Sequence, residues 1–303
     1  MGGGIFNNGS LGVSHCTFAN DQSHNGTGGA IHNHDGAVTI SDSTFDSNTS
    51  VSVVGFGGAL YNTSGGTMTI ERSLFFGNSA YFGGALYNSG GEVTIVNSTF
   101  AQNTATETGG EGGAIYSPTG TLKISNSTFV GDTADSGGGD LYIGSVGGAA
   151  AVSIKSSIVA SDTGFDCTVV AGSTFTVSGA NFDVDGTCAA LSLAHFTTSA
   201  NLHLGGLADN GGPTETVALL AGSEAIDAVA AGECTDVDAL AVGTDQRGIG
   251  RPQDGDGDGT ARCDAGAFER APGVIAVPGL GPQGLSLLAL LLAAGALGLL
   301  RRP

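Results

Sequence analysis

Residues 81–103 read YFGGALYNSGGEVTIVNSTFAQN, and most of this text returns elsewhere in the chain. It carries two landmarks: a Gly-Gly step leading into a small and an aliphatic residue, and a Ser/Thr-Phe step followed by Asn or Asp. The first recurs at Gly3-Gly4-Ile5, Gly28-Gly29-Ala30-Ile31, Gly57-Gly58-Ala59-Leu60, Gly83-Gly84-Ala85-Leu86, Gly112-Gly113-Ala114-Ile115 and Gly138-Gly139-Asp140-Leu141. The second passes through Phe18, Phe45, Phe75, Phe100 and Phe129 and fades to Val159; Asn20, Asn48, Asn78, Asn103, Asp132 and Asp162 follow. Six turns of 25 to 30 residues result. A unit that short cannot bury an apolar face until a neighbour stacks on it, so a fixed period of this length marks a solenoid.

The local period decides which kind. Val38-Thr39-Ile40, Val93-Thr94-Ile95 and Leu122-Lys123-Ile124 alternate apolar and polar residues, the two-residue period of a strand with one face inward. The 54 glycines, with Ser, Thr and Asn between them, would break any long helix. The sequence therefore predicts an all-β fold: three short strands per turn, coiled into a right-handed parallel β-helix of about six turns over residues 1–162. A small C-terminal domain (163–270), a Pro/Gly-rich linker (271–283) and a hydrophobic C-terminal helix (284–303) follow. Inward Ile/Leu and Phe columns form the core, and the Asn column suits turns, because Asn tolerates left-handed backbone and its side chain can bond the next Asn along the stack.

Charge narrows the function. The net charge is −19 with only 9 Lys+Arg, and of those only Arg72, Lys123 and Lys155 lie in the six turns. Nucleic acid and anionic lipid, which need basic patches, are excluded as partners of the repeats.

Past residue 162 a different text begins. Asp245-Gln246-Arg247-Gly248, Arg251-Pro252 and Cys263-Asp264-Ala265-Gly266-Ala267-Phe268-Glu269, with LADNGGPTETVALLAGSEAIDA at 207–228, resemble the choice-of-anchor Q region of bacterial surface proteins that carry β-helix repeats. The Gly-Gly-Ala-Ile and Phe-x-x-Asn steps are similar to polymorphic outer-membrane protein repeats. These resemblances imply a secreted, surface-displayed β-helix and supply no catalytic residue.

Cysteine usage agrees with export. Cys167 and Cys188 bracket one segment and Cys234 and Cys263 the next, so two local bridges are the simplest pairing, with Cys16 left over in the Ser slot beside Phe18 as a small buried thiol. His15, His24, His32 and His34 lie near one another in sequence, but His32 occupies a column filled by Tyr61, Tyr87, Tyr116 and Tyr142 in later turns. If Leu86 points inward, alternation sends Tyr87 outward, giving an exposed aromatic ladder. Such a ladder serves either as a platform for surface glycans or a partner strand, or as rings that stiffen the sheet by stacking on each other.

Asp254, Asp256 and Asp258 alternate with glycine, and Gly259 stands sixth, as in the front half of a Ca²⁺ loop. The twelfth position is Ala265 instead of a bidentate Glu, with Asp264 beside it. A weak structural Ca²⁺ site and a solvated acidic turn are equal readings of this stretch.

Catalysis is the competing class, since polysaccharide chemistry needs two carboxylates across a sugar bond or a basic residue beside a cation-bound uronate. One Arg and two Lys scattered over the turns fit an acidic polysaccharide poorly, and no Gly-His-Gly, Asp-Asp or Gly-X-Ser-X-Gly motif occurs. The sequence favours a non-catalytic display or adhesion protein over the alternative, a secreted polysaccharide-active lyase or glycosidase.

The C-terminal stretch points the same way. Residues 284–300, GLSLLALLLAAGALGLL, are uncharged and apolar, ~26 Å long as a helix, slightly short for a membrane span, and Arg301 and Arg302 follow. A buried terminal helix is the competing reading, and the detaching Pro/Gly-rich linker favours the membrane. The Arg pair would hold that end on the cytoplasmic side of the inner membrane. Val277, Pro278 and Leu280, with Gly284, resemble IPTL-CTERM sorting signals, which implies an exosortase-type transpeptidase as partner. Residues 1–25 contain no basic start followed by an apolar run, so a signal peptide and further turns are expected upstream.

Overall fold

The computed structural model describes residues 3–63, 65–105, 108–161, 165–191 and 195–272. The sorting-motif residues Val277, Pro278, Leu280 and Gly284 and the apolar run 284–300 lie outside them. Residues 1–272 form one compact unit.

The fold is a parallel β-solenoid. In the turn that starts at Leu86, one eleven-residue strand, Leu86–Val96, carries both the Leu-Tyr-Asn and the Val-Thr-Ile steps. Thr99–Ala101 and Thr104–Ala105 follow it. Each piece stacks on its repeat equivalent: Leu86 on Leu60 and Ile115, Ile95 on Ile70 and Ile124, Phe100 on Phe75 and Phe129, Ala105 on Ala80 and Ala134. The first two steps are fused here, leaving three strands, whereas the turn from Ile31 has four: Ile31–His34, Ala37–Ser41, Thr44–Asp46 and Thr49–Ser50. The two-residue piece that ends each of these turns was not among the three expected strands. It is too short to show a period of two.

Sharp corners join the strands, and left-handed residues make them. Asp42, Arg72, Asn97, Asn126 and Ser156, with φ between 47° and 51°, turn the chain into the Phe strand. Ser47, Gly77, Gln102 and Gly131 turn it out again. The third corner explains the Gly-Gly pair. Gly83 has φ of 66°, where a side chain is strained. Gly84 is not left-handed, but a Cβ there would run into the carbonyl of Gly113 one turn on. The first glycine is needed for conformation and the second for close approach of backbones.

Inside, like packs on like. Phe45, Phe75, Phe100 and Phe129 are fully buried and stacked with centroids 4.6 to 4.8 Å apart. Each such ring contributes roughly 2–3 kcal/mol by burial alone. Polar residues also run in files. Asn48 Nδ2 donates to Asn78 Oδ1 at 2.9 Å, Asn78 to Asn103 at 2.9 Å and Asn103 to Asp132 at 2.8 Å. The same Nδ2 groups donate to the carbonyls of Phe18, Phe45 and Phe75 in the preceding turns. In the first described turn the member of this file is Asp21, whose N–H donates to Asn48 Oδ1. Asn20, expected in that column, is instead the left-handed corner residue, φ 58°.

A second buried file, Asn7, Asn33, Asn62 and Asn88, is linked Nδ2 to Oδ1 at 2.7 to 3.0 Å. A serine file closes the corner before the Phe strand. Ser73 Oγ donates to the Glu71 carbonyl and accepts the Ser43 N–H, and Ser98 and Ser127 repeat the pattern. These files provide partners for backbone groups that the corners remove from the sheets.

Cys16 stands in the serine file, and its Sγ lies 3.3 Å from the Ser14 carbonyl. The thiol is nonetheless exposed, not buried as expected: among the described residues the adjoining strand Thr17–Ala19 is the last of its sheet, paired on one side only, with Thr44–Asp46.

The repeated text ends near 162, but strand pairing does not. Cys167–Val169, Thr174–Ser178 and Asn181–Asp183 pair with the turn before them, and Phe196–Thr198 pairs with Asn181–Asp183. The short helix Thr187–Leu191 brings Cys188 and Ala189 into the solenoid core. From there the chain returns along the outside of the Phe strands, making one hairpin, Leu204–Ala208 with Thr216–Leu219. A second core lies beneath this returning segment, where outward Ile158, Ala160 and Phe182 meet Leu202, Leu219, Ala225 and Val229.

Candidate functional site

The blocks Asp245-Gln246-Arg247-Gly248, Arg251-Pro252 and Cys263–Glu269 meet where the returning segment docks on the solenoid. Gln246, fully buried, accepts from Thr99 Oγ1 at 2.6 Å and donates to Thr214 Oγ1 at 2.9 Å. Asn97 Nδ2 donates to the Thr244 carbonyl, Ala267 N–H to Thr128 Oγ1, Val237 N–H to Ser125 Oγ, and Gly266 N–H to the Ser156 carbonyl. Gln246 Nε2 also donates to the Ser73 carbonyl at 3.4 Å, so the motif blocks and their neighbours form a clasp across four consecutive turns.

The clasp has an ionic centre. Arg251 donates to Glu269 Oε2 at 2.9 Å and to the carbonyls of Asp264 and Gly266 at 2.7 and 2.6 Å, with neither ion-pair side chain exposed. Burial pushes the Glu269 carboxyl up to about 7 against the attraction of Arg251, and pushes Asp264 up to about 6. Arg247 pairs with Asp245 at 2.6 Å and lies 3.6 Å over the Phe268 ring. Beside this segment a groove of about 440 Å³ is lined by Asp46, Phe76, Asp209, Pro213 and Glu215 among others.

Both expected disulfides are formed, Cys167–Cys188 and Cys234–Cys263. The first ties the aliphatic column to the helix, and the second links two parts of the returning segment.

The aromatic column is continuous but less open than alternation implies. Tyr61, Tyr87, Tyr116 and Tyr142 follow one another at centroid distances of 5.1 to 5.4 Å. Phe56 and Phe82, which precede the Gly-Gly corners, lean onto them at 4.8 Å (Phe56–Tyr87) and 5.1 Å (Phe82–Tyr116). Tyr116 is buried, 6% exposed, and the other three are half-buried. Burial, chiefly, pushes the Tyr87 and Tyr142 hydroxyls up to about 12. His32 sits edge-on between Phe6 and Tyr61, and burial lowers its pKa to about 4, so its ring is neutral.

Of the three loop aspartates, Asp254 and Asp256 come together with Asp227, each offering an oxygen within 4.8 Å of the others. Asp258 is not in this group; its Oδ1 accepts the Thr260 N–H. Asp227 lies 27 residues upstream of Asp254, beyond the reach of motif reading.

A buried acidic group was also not foreseen. Asp132 ends the first Asn file, Asp140 stands where earlier turns have Ala30, Ala59, Ala85 and Ala114, and Asp166 lies in the following turn; all three are buried. Burial brings Asp132 to about 7, burial with the nearby Asp185 charge brings Asp166 to about 7, and burial with the Asp132 and Asp166 charges raises Asp140 well above the ordinary range. The break from Ala to Asp was the signal available in the sequence.

Among the described residues, no helix is long and apolar enough to cross a membrane. Residues 72–89 and 97–118 match the family described as the Chlamydia polymorphic membrane protein repeat. Comparison with curated proteins and with solved structures gave no match. The matched residues fall on successive turns of the solenoid and cover both landmarks of its repeat, so repeat and fold fit a β-helix repeat protein of the surface kind.

Proposed function

We propose that the protein is a non-catalytic, adhesin-like β-helix displayed at the bacterial cell surface or outer membrane and processed through its C-terminal tail. The observation that carries this reading is the polymorphic membrane protein repeat match, placed on turns whose repeated residues are spent inward on stacking and ladders. The blocks resembling the choice-of-anchor Q region serve the same end, holding the exposed flank of the solenoid closed. In this reading the apolar run 284–300 rests in the inner membrane until an exosortase-type transpeptidase acts at Val277-Pro278-Gly279-Leu280. The partners are surface glycans or other cells.

The test is surface labelling with protease shaving of intact cells that express the full chain, together with intact-mass analysis of the mature product. Shaving should release solenoid peptides, and the mature chain should lack residues 284–303. A protein inaccessible to protease, with its tail retained, would refute the reading. Depolymerisation of a polysaccharide by the purified chain would replace it with the enzymatic alternative.

A further inference from the structure

The acidic loop 254–259 and the distant Asp227 form a constellation that neither the display function nor the clasp uses. Asp227 is 5% exposed. Its Oδ2 accepts the Asp256 N–H at 2.8 Å, while its Oδ1 is buried without a hydrogen-bond partner. The N–H groups of Arg262 and Gly255 also face this carboxylate, but a buried oxygen with no donor in hydrogen-bonding geometry is costly to keep charged, and a cation or a proton beside it offsets that cost.

The loop is shaped around that carboxylate. Asp254 accepts the N–H groups of Gly257 and Gly259 at 2.9 and 3.0 Å, and Asp256 Oδ1 accepts that of Asp258 at 2.9 Å. Gly257 and Gly259 are left-handed, φ 81° and 90°. A Cβ on Gly255 would meet Ile226 Cγ2 and the Arg270 carbonyl, each at 2.9 Å, so the loop is pressed onto the segment that carries Asp227. One oxygen from each of Asp227, Asp254 and Asp256 lies within 4.8 Å of the other two. Oxygens bound to one Ca²⁺ at about 2.4 Å lie at most ~4.8 Å apart, so the spacing admits a single ion. Arg270 borders the neighbouring groove, and its guanidinium is engaged with the Leu219 carbonyl at 3.0 Å.

We propose that Asp227, Asp254 and Asp256 form a Ca²⁺ site that cross-links loop 254–259 to the segment around Asp227. Three carboxylates supply the charge and water completes the shell. Ca²⁺ accepts such an irregular oxygen set, whereas Mg²⁺ demands a near-ideal octahedron. With only three protein ligands the dissociation constant falls at about 0.1–1 mM, in the range of extracellular modules. The ion locks the returning segment close to Asp264, whose Oδ1 accepts the Asp227 N–H at 2.7 Å.

The experiment titrates Ca²⁺ into the chelator-treated full chain by calorimetry and follows Tm, for the wild type, Asp256→Asn, Asp227→Asn and Asp258→Asn. One saturable Ca²⁺ event is expected, with Tm rising by about 2–5 °C at ten times Kd. Asp256→Asn, a change in an accessible loop side chain, loses binding at least tenfold with its circular dichroism unchanged, and Asp258→Asn binds as the wild type does. No heat and no Tm rise at 10-fold above ~1 mM Ca²⁺ would overturn the proposal. So would full binding by Asp256→Asn, or an equal Tm rise with Mg²⁺, which would mark screening of net charge in place of a site.

Discussion

Arg251 and Glu269 meet at 2.9 Å with neither side chain exposed, and the same guanidinium reaches Asn97 at a corner of the solenoid. Removing one partner leaves the other as a buried, unpaired charge. Arg251→Ala should cost about 3–5 kcal/mol and free residues 205–270 for proteolysis while the repeat turns stay protected. Limited proteolysis with urea denaturation checks this; an unchanged urea midpoint would contradict it.

The buried acids make stability depend on pH with an unusual sign. Asp132 and Asp166, near 7, and Asp140, well above 3.8, bind protons more tightly folded than unfolded. Between about pH 4 and 7 the folded chain holds the extra protons, so stability falls as pH rises through that window. Tm should be higher at pH 5 than at pH 8.

Asp132→Asn would extend the Asn file by one member and remove a buried charge that faces Asp140. It should stabilise the fold by on the order of 2 kcal/mol at pH 8 and much less at pH 4. Thermal scans at both values decide it, and equal gains at both would be the wrong outcome.

Within the file, Asn78→Ala removes the acceptor of the Asn48 N–H and the donor to the Phe45 carbonyl. A loss of about 2–4 kcal/mol is expected from buried groups left unpaired. Asn20→Ser, at an exposed corner, serves as the comparison and should change stability by under about 1 kcal/mol.

Gly84→Ala should open the stack locally, because its Cβ meets the Gly113 carbonyl. Gly12→Ala, with nothing within 4 Å and no left-handed φ, should be neutral or slightly stabilising. Amide exchange at the Gly113 and Ala114 rungs distinguishes the two.

The solenoid was legible because each turn repeats the same constraint: Leu86, Ile95 and Phe100 return in register every turn, so the pattern averages over accidents. The second Asn file was equally written in the Ile-His-Asn and Leu-Tyr-Asn steps. It escapes a reading that assigns inward positions only to apolar residues, although Asn88 lies two residues past Leu86 and so on the same side. The shielding of the Tyr column comes from Phe56 and Phe82, which reach it across a corner whose angle no local period encodes. The clasp and the Asp227 constellation depend on contacts between residues far apart in sequence. Gln246 touches Ser73 and Thr99, and nothing in the text around Gln246 names either one.

The returning segment also changes how the solenoid comes apart. A bare stack of turns unzips one step at a time, since each turn touches only its neighbours. Here Thr214 grips Arg72, Gln246 grips Ser73 and Thr99, Val237 grips Ser125, and Gly266 grips Ser156, so four turns are sewn together along one flank. Pulled along its axis, that stretch must break its stitches in concert before any single turn peels away. Among the described residues no hydrogen bond of the returning segment reaches the turns before Thr67, so those turns yield first, one after another, like the loose end of a ratchet strap.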